Sequence, residues 1–180
     1  MTDINIRLMT LKKYLDMSFI NTILCDSHYN YYNKLSAIVM FPTIIGSALL
    51  TILNSSSIDE EKMKYINVAL NGLNTIIMTL STQYKLNDRL TIYKNSYTKF
   101  NKLSHKIESI INNTQETNDR IIDDIIAEYD NIVNDNSYGY LSSYKKKIIQ
   151  KYGKSKVLPN SLQLEASTII GELVEVQLKQ

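Results

Sequence analysis

Two long uncharged stretches break an otherwise charged, helix-like pattern of hydrophobic and polar positions. From Leu35 to Ile58 no residue carries a charge, and Lys34 and Asp59 bracket the run. A helix needs about 20 residues to cross a hydrocarbon core of about 30 Å, so this stretch is long enough to span a bilayer. Pro42 lies inside it, costly in the interior of a water-soluble helix but tolerated in membrane helices. The second stretch, Tyr65 to Tyr84, sits between Lys64 and Lys85 and is more polar. Asn67, Asn71, Asn74, Thr75, Thr79 and Thr82 recur at intervals of three and four, so they share one helical face. Ile66, Val68, Leu70, Leu73, Ile76, Ile77 and Leu80 fill the other.

The first stretch carries a similar stripe, Ser36, Met40, Thr43, Ser47, Thr51 and Asn54, with Gly46 beside it. Small and hydroxylated residues let membrane helices approach closely and hydrogen-bond across the contact. The expected interface therefore sets Thr43, Gly46, Ser47 and Thr51 against Asn67, Asn71, Asn74 and Thr75. The segment from Ser55 to Lys64 is short and polar, so a hairpin is the simple geometry that joins the two. The competing reading makes both runs buried core helices of a soluble helical protein.

The flanking segments also read as helices. Residues 3–34 lead into the first span with a loose apolar face of Ile6, Met9, Leu11, Leu15, Ile20 and Ile23. Tyr29, Tyr31 and Tyr32 before the span suit an interfacial aromatic belt. After the second span, Leu86, Leu90, Tyr93, Tyr97, Phe100, Ile107 and Ile111 step by four and three, with Ser104 in the gap, a seam of heptad type. It predicts one continuous helix from Tyr65 to about Ile111, with the N-terminal helix as its partner. A break follows at 112–117. Thr117 or Asn118 caps a helix whose apolar face is Ile121, Ile122, Ile125, Ile126, Tyr129, Ile132 and Val133. A turn at 134–139 precedes a helix from Leu141 to Tyr152, ended by Gly153 and Pro159. The tail from Leu162 to Leu178 carries Leu164, Ile169, Ile170, Leu173 and Val176 at near-helical spacing.

These elements predict an all-α fold: a two-helix transmembrane hairpin with long helical extensions and a cytoplasmic-side helical bundle. Its parts are an N-terminal helix (1–34), the hairpin (35–84, spans about 35–55 and 65–84), a bundle continuing the second span (85–135) and a basic helical tail (136–180). Composition agrees, since 5 Gly and 2 Pro leave few helix breakers. The 13 Tyr beside no Trp, with abundant Asn, Ile and Lys, share A/T-rich codons and point to an A/T-rich genome.

Net charge, at +2, selects no partner, but its distribution sets an orientation. Lys34 precedes the first span, and Lys85, Arg89, Lys94, Lys99 and Lys102 follow the second, whereas Lys62 and Lys64 are offset by Asp59, Glu60 and Glu61. The Lys/Arg excess places both termini on the cytoplasmic side. The glycosylation-type triplets at Asn54 and Asn112 are then too close to the bilayer and on the wrong side, respectively. No signal peptide is expected, because Asp3, Arg7, Lys12, Lys13, Asp16 and Asp26 interrupt the first thirty residues.

Candidate chemistry is sparse. Cys25, the single cysteine, excludes an intrachain disulfide and a multi-Cys zinc site. His28 lies one turn on and could touch it, but no third group orients the imidazole; His28 and His105 are expected as solvated side chains and Cys25 as a helix-face thiol near the membrane edge. No phosphate loop, nucleophile elbow or metalloprotease pair is present, and no cofactor or metal is expected. Asp119, Asp123, Asp124, Glu128, Asp130 and Asp135 read as solvated helix surface without calcium-loop spacing. Lys145, Lys146, Lys147, Lys151 and Lys154 form a basic cluster, since no acid lies between Asn136 and Gln163. It is expected to meet anionic head groups or a partner, or to pair with the preceding acidic helix. Specific nucleic-acid reading is not expected, because no base-stacking aromatics interleave the lysines.

The order of features resembles a known family. A Tyr31-Tyr-Asn-Lys34 approach precedes a span with Phe41-Pro-Thr-Ile-Ile-Gly-Ser47. A short polar connection and a second span then run into Leu90-Thr-Ile-Tyr-Lys-Asn-Ser-Tyr-Thr-Lys-Phe100, and a later helix carries Ile126-Ala-Glu-Tyr-Asp130. Over residues 25–135 this resembles the SLATT-type two-transmembrane proteins, especially versions from large A/T-rich DNA viruses. In bacteria the family supplies membrane effectors paired with nucleotide-sensing modules, and no such module is attached here. The lack of candidate chemistry argues against an enzyme, and in a viral setting the resemblance implies a protein of a virion internal membrane or host endomembrane. It would be a minor capsid-associated component linking bilayer to shell, with lipid, other capsid or membrane proteins, and further copies of itself as partners. A pore-forming effector and a soluble helical scaffold are the alternatives.

Overall fold

The expectation of helices throughout holds across the described residues. The structure, a computed structural model, describes residues 2–55, 59–113, 118–163 and 165–167. Helical backbone runs through α1 (Thr2–Asn54), α2 (Glu60–Gln83), α3 (Leu86–Asn112), α4 (Asp119–Asp135) and α5 (Ser142–Tyr152), and also over residues 160–163 and 165–167. The chain forms two compact units. One comprises Met1–His28 and Ile92–Gln180, the other Tyr29–Thr91, so α1 and α3 each contribute to both.

In the first unit the early part of α1 packs with α3, α4 and α5. The ends of α4 and α5 follow from local chemistry. Asn118 caps α4, its side-chain oxygen accepting the Ile121 N–H at 3.0 Å, one of the donors a helix start leaves unpaired. Gly153 ends α5 with its N–H on the Ile149 carbonyl at 2.8 Å. A Cβ there would lie 2.5 Å from that oxygen, so only glycine fits. Leu11, Met17, Tyr93, Phe100, Leu103, Ile107, Ile125 and Ile132 are buried in this unit, and Ile20, Leu24, Ile148, Ile149, Leu158, Leu162 and Ala166 form one apolar cluster within it. Leu162, the first residue of the expected tail helix, is buried there; Leu164, Ile169, Ile170, Leu173 and Val176 lie outside the described residues. Ile6 and Met9, expected on the inner face of α1, are 60% and 72% exposed.

Two expectations about the region after the second stretch need correction. The helix from Tyr65 to Ile111 is not continuous. It stops at Gln83 and restarts at Leu86, because Lys85 adopts φ 49°, a left-handed value that cannot propagate a right-handed helix. The Tyr84 and Lys85 amides bond back to Leu80 and Thr82 carbonyls, the closing pattern of a helix C-terminus. The seam on α3 is also offset in one of its two rows. Tyr93, Phe100 and Ile107 are fully buried and Ser104 is buried, as expected, but Ser96 and Leu103 accompany them, while Tyr97 is 37% exposed. The second row therefore steps from 93 to 96 rather than to 97, and at the next turn Leu103 and Ser104 are both inside. The small Ser96 concealed that row in the sequence, and the bulky Tyr97 suggested the wrong neighbour.

In the second unit α1 and α2 run antiparallel. Asp59 caps α2 by accepting the Glu61 N–H at 3.2 Å, and Glu60 and Glu61 occupy its first turn, where carboxylates favour the positive end of the helix dipole. Pro42 lies inside α1 without ending it.

The reassigned seam yields a direct comparison. Phe100→Ala should destabilise the bundle by about 3–5 kcal/mol, as for a buried aromatic deletion, whereas Tyr97→Ala should cost under about 1 kcal/mol. Thermal unfolding followed by circular dichroism checks the order; equal losses would restore the predicted seam.

Candidate functional site

What the second unit displays outward is its main chemical feature. Ile38, Phe41, Ile44 and Ile52 on α1, and Val68, Ile76 and Met78 on α2, are each at least 60% exposed. Of the most apolar stretch of α1, only 11% is buried. Among the described residues α1 alone is a helix long and apolar enough to cross a membrane, by length and composition; α2, with its Asn and Thr, is not. A core helix of a soluble bundle hides its apolar side chains, and this one presents them.

The inward face joins the two helices. Ser36 and Gly46 are buried, Val39, Thr43, Leu50 and Leu53 half-buried; on α2, Met63 is buried and Ile66, Asn67, Leu70, Asn74, Ile77 and Ser81 half-buried. The spacing on both helices is heptad-like, as in left-handed helix pairs. Gly46 faces Asn74 so closely that a Cβ would meet the amide oxygen at 3.4 Å. Of the residues expected to pair, Thr43, Gly46, Asn67 and Asn74 lie on this inward face, while Ser47, Thr51, Asn71 and Thr75 point outward. The outward hydroxyls bond within their own helix. Ser47 Oγ donates to the Thr43 carbonyl at 2.9 Å, Thr51 to Ser47 at 3.0 Å, Thr75 to Asn71 at 2.8 Å and Thr79 to Thr75 at 2.8 Å. Such back-bonding to the carbonyl four residues earlier satisfies the hydroxyl without a partner helix.

Near the start of this unit, Arg89 donates to the Tyr32 hydroxyl at 2.7 Å and its guanidinium stands 5.4 Å from that ring. Of the expected aromatic belt, Tyr32 is therefore buried, and Tyr31 is 41% exposed.

On the first unit, Lys146, Lys147, Lys151 and Lys154 are exposed on and just after α5. Lys145 and Lys156 are drawn inward: Lys145 pairs with Glu165 at 2.6 Å and Lys156 with Asp16 at 2.7 Å. The acids of α4 serve other partners, Asp119 with Arg7, Glu128 with Lys106 and Asp135 with Lys99. These solvated pairs contribute at most about 1 kcal/mol each.

The sequence reading missed a buried polar cluster in the same unit. Ser18, Asn21, Cys25 and His28 are at most 2% exposed on α1. They occupy one face at steps of three and four, a periodicity visible in the sequence, but of the four only Cys25 and His28 drew an expectation, the thiol at a helix face near the membrane edge and the imidazole in solvent. Asn21 donates to the Tyr129 hydroxyl at 3.0 Å and accepts from Tyr140 at 3.3 Å; Asn136 donates to Tyr140 at 3.1 Å, and Cys25 Sγ lies 3.4 Å from the same oxygen. Asn21, Tyr129, Asn136 and Tyr140 border a cavity of about 230 Å³ that Asp130, Tyr138 and Asn160 also line. His28, expected in solvent, is fully buried, and the rings of Tyr93, Tyr140 and Tyr144 centre 4.9–5.2 Å from its own. Both imidazole nitrogens are committed: Nδ1 to the Leu24 carbonyl at 2.7 Å and Nε2 to the Leu141 N–H at 2.8 Å. It has no lone pair left to activate Cys25. Burial pushes that thiol up to about 12, only partly opposed by Tyr140. His105 is solvated as expected, beside Glu108 at 3.3 Å.

No protein-family model, curated protein or solved structure matches the chain.

Two outcomes follow from this geometry. Gly46→Leu must displace Asn74 and should cost about 1–3 kcal/mol of overpacking, whereas Gly46→Ala, meeting an ordinary contact, should be near neutral; unfolding in detergent micelles measures both. At pH 8, with its thiol near 12 rather than 9.0, Cys25 should react with iodoacetamide about 1000-fold more slowly than in the denatured chain. Comparable rates would place it at the surface.

Proposed function

We propose that the chain is a non-enzymatic helical scaffold whose apolar hairpin, about residues 35–84, is its attachment surface and embeds in a lipid bilayer. The observation that carries this reading is the outward apolar face of the second unit. Covering a Leu- or Phe-sized side chain is worth about 1.5–3 kcal/mol, and a contiguous exposed apolar surface of this kind marks a membrane or protein contact. Lipid suits α1, which is apolar around most of its outward circumference. The back-bonded hydroxyls make α2 compatible with it too, because a polar group in hydrocarbon must be satisfied internally. The first unit, held together by its own core, is then the part that meets other molecules.

Lysine distribution supports placing both termini on the cytoplasmic side, with Lys146, Lys147, Lys151 and Lys154 available to anionic head groups. The outward Asn71, Thr75, Thr79 and Thr82 favour a second reading, in which several hairpins associate and these faces line a pore. A soluble scaffold whose hairpins cover each other in a homo-oligomer uses the same surface without lipid. The role at a virion shell, with capsid proteins as partners, rests on the SLATT-like order of motifs and the A/T-rich composition.

Alkaline carbonate extraction followed by flotation separates these readings. The full chain should remain with lipid and float. Recovery in the aqueous fraction as a defined oligomer would replace bilayer attachment by self-association, and conductance in planar bilayers would favour the pore.

A further inference from the structure

His28 joins two parts of the first unit through hydrogen bonds whose directions are fixed. A carbonyl can only accept, so the Leu24 oxygen at 2.7 Å requires a proton on Nδ1. A backbone amide can only donate, so the Leu141 N–H at 2.8 Å requires a lone pair on Nε2. The neutral Nδ1–H tautomer is the only form that satisfies both. A second proton on Nε2 would set two donors against each other at that distance.

We propose that His28 is an acid-operated latch: protonation of Nε2 expels the Leu141 amide, frees the segment 136–141 from α1, and opens the buried cluster around Cys25. The segment is the natural one to move. It is non-helical, and its anchors converge on this cluster: Tyr93 donates to the Gly139 carbonyl at 2.8 Å, and Asn136 donates to the Tyr140 hydroxyl, which in turn donates to Asn21. Tyr140 stands over both His28 and Cys25, so losing the Leu141 bond loosens the cover on the thiol.

The groups facing His28 favour the neutral form. On α1 these are the Leu24 carbonyl and Cys25, on α3 Tyr93, on the connecting segment Tyr140, and on α5 Tyr144 and Lys145. No carboxylate among the described contacts of the ring offsets a second proton; Glu165 is engaged with Lys145. Burial lowers the affinity of His28 for a proton below its ordinary value of 6.5, the Leu24 carbonyl opposes this, and the Lys145 charge adds to it. The sign follows from linkage. The opened or unfolded state binds the proton more tightly, so the closed state is fully favoured above about pH 6.5 and weakens as pH falls from there toward the depressed value. A single proton limits the effect to about tenfold per pH unit.

Cys25, as the only thiol, reports the opening. The full chain in lipid nanodiscs would be treated with 4,4′-dithiodipyridine, which reacts with thiols in acid, and rates normalised to the denatured chain at each pH. The normalised rate should rise between pH 7 and 5 by up to about tenfold per unit. In His28→Gln, whose amide oxygen can still accept from Leu141 but does not titrate, it should stay flat. Glu165→Gln should leave the rise in place, which separates the latch from the Lys145 pair. Should H28Q fail to fold, NMR of the His105→Gln chain follows His28 as the sole histidine. Titration below 6.5, in step with Cys25 exposure, supports the latch. Titration at or above 6.5, a flat thiol profile in the parent chain, or an unchanged rise in H28Q overturns it.

Discussion

Apolar side chains must be covered, and α1 meets that requirement in two different ways along one unbroken helix. Up to His28 its inner face lies in a protein core, with Leu11, Met17, Ile20 and Leu24 essentially inaccessible. Beyond Lys34 most of its apolar side chains face outward, and only a narrow strip through Ser36 and Gly46 is buried against α2. The covered part behaves as an ordinary bundle helix. The uncovered part makes sense only with a second solvent or a second molecule. The scaffold reading and the choice of lipid as the covering medium both follow from this division.

The covered part is unusual in what it buries. Bundles of this size normally reserve their interior for aliphatic and aromatic groups, yet α1 turns Ser18, Asn21, Cys25 and His28 inward. A buried polar group is tolerable when its bonds are made and costly when they are not. Here Asn21, Tyr129, Tyr140 and Asn136 bond one another, and His28 is bonded at both nitrogens. Such a network fixes how α1 docks with more directional precision than apolar packing gives. It also makes the docking depend on the protonation state of one ring.

Helix content was legible in the sequence because charge-free runs, three-four periodicity and scarce breakers all agreed. Asn118 as a cap and Tyr93, Phe100 and Ile107 as core were legible for the same reason. The break at Lys85 was not, since no glycine or proline marks it and a lysine in a left-handed conformation leaves no compositional trace. The inner row at Ser96 was hidden by its small polar side chain. The cluster around His28 was hidden for a related reason: its partners, Tyr129, Tyr140 and Asn136, lie more than a hundred residues away, and without them Asn21 and His28 look like surface. In the hairpin, periodicity identified polar stripes but not which half of each stripe turns inward.

Those hydroxyl stripes have a further consequence. A hydropathy scale charges each Thr and Ser for a group that must leave water, but on this hairpin several of those hydrogens already rest on the carbonyl of the preceding turn. The debit is therefore overstated, most of all for α2. The same hydrogen can leave its carbonyl by a side-chain rotation alone, since Thr in a helix has two accessible rotamers. The face is thus self-contained when the hairpin is alone and adhesive when another approaches, with no change of backbone. Under the bilayer reading proposed above, whether hairpins stand singly or gather becomes a matter of local crowding, set by mass action rather than written into the fold.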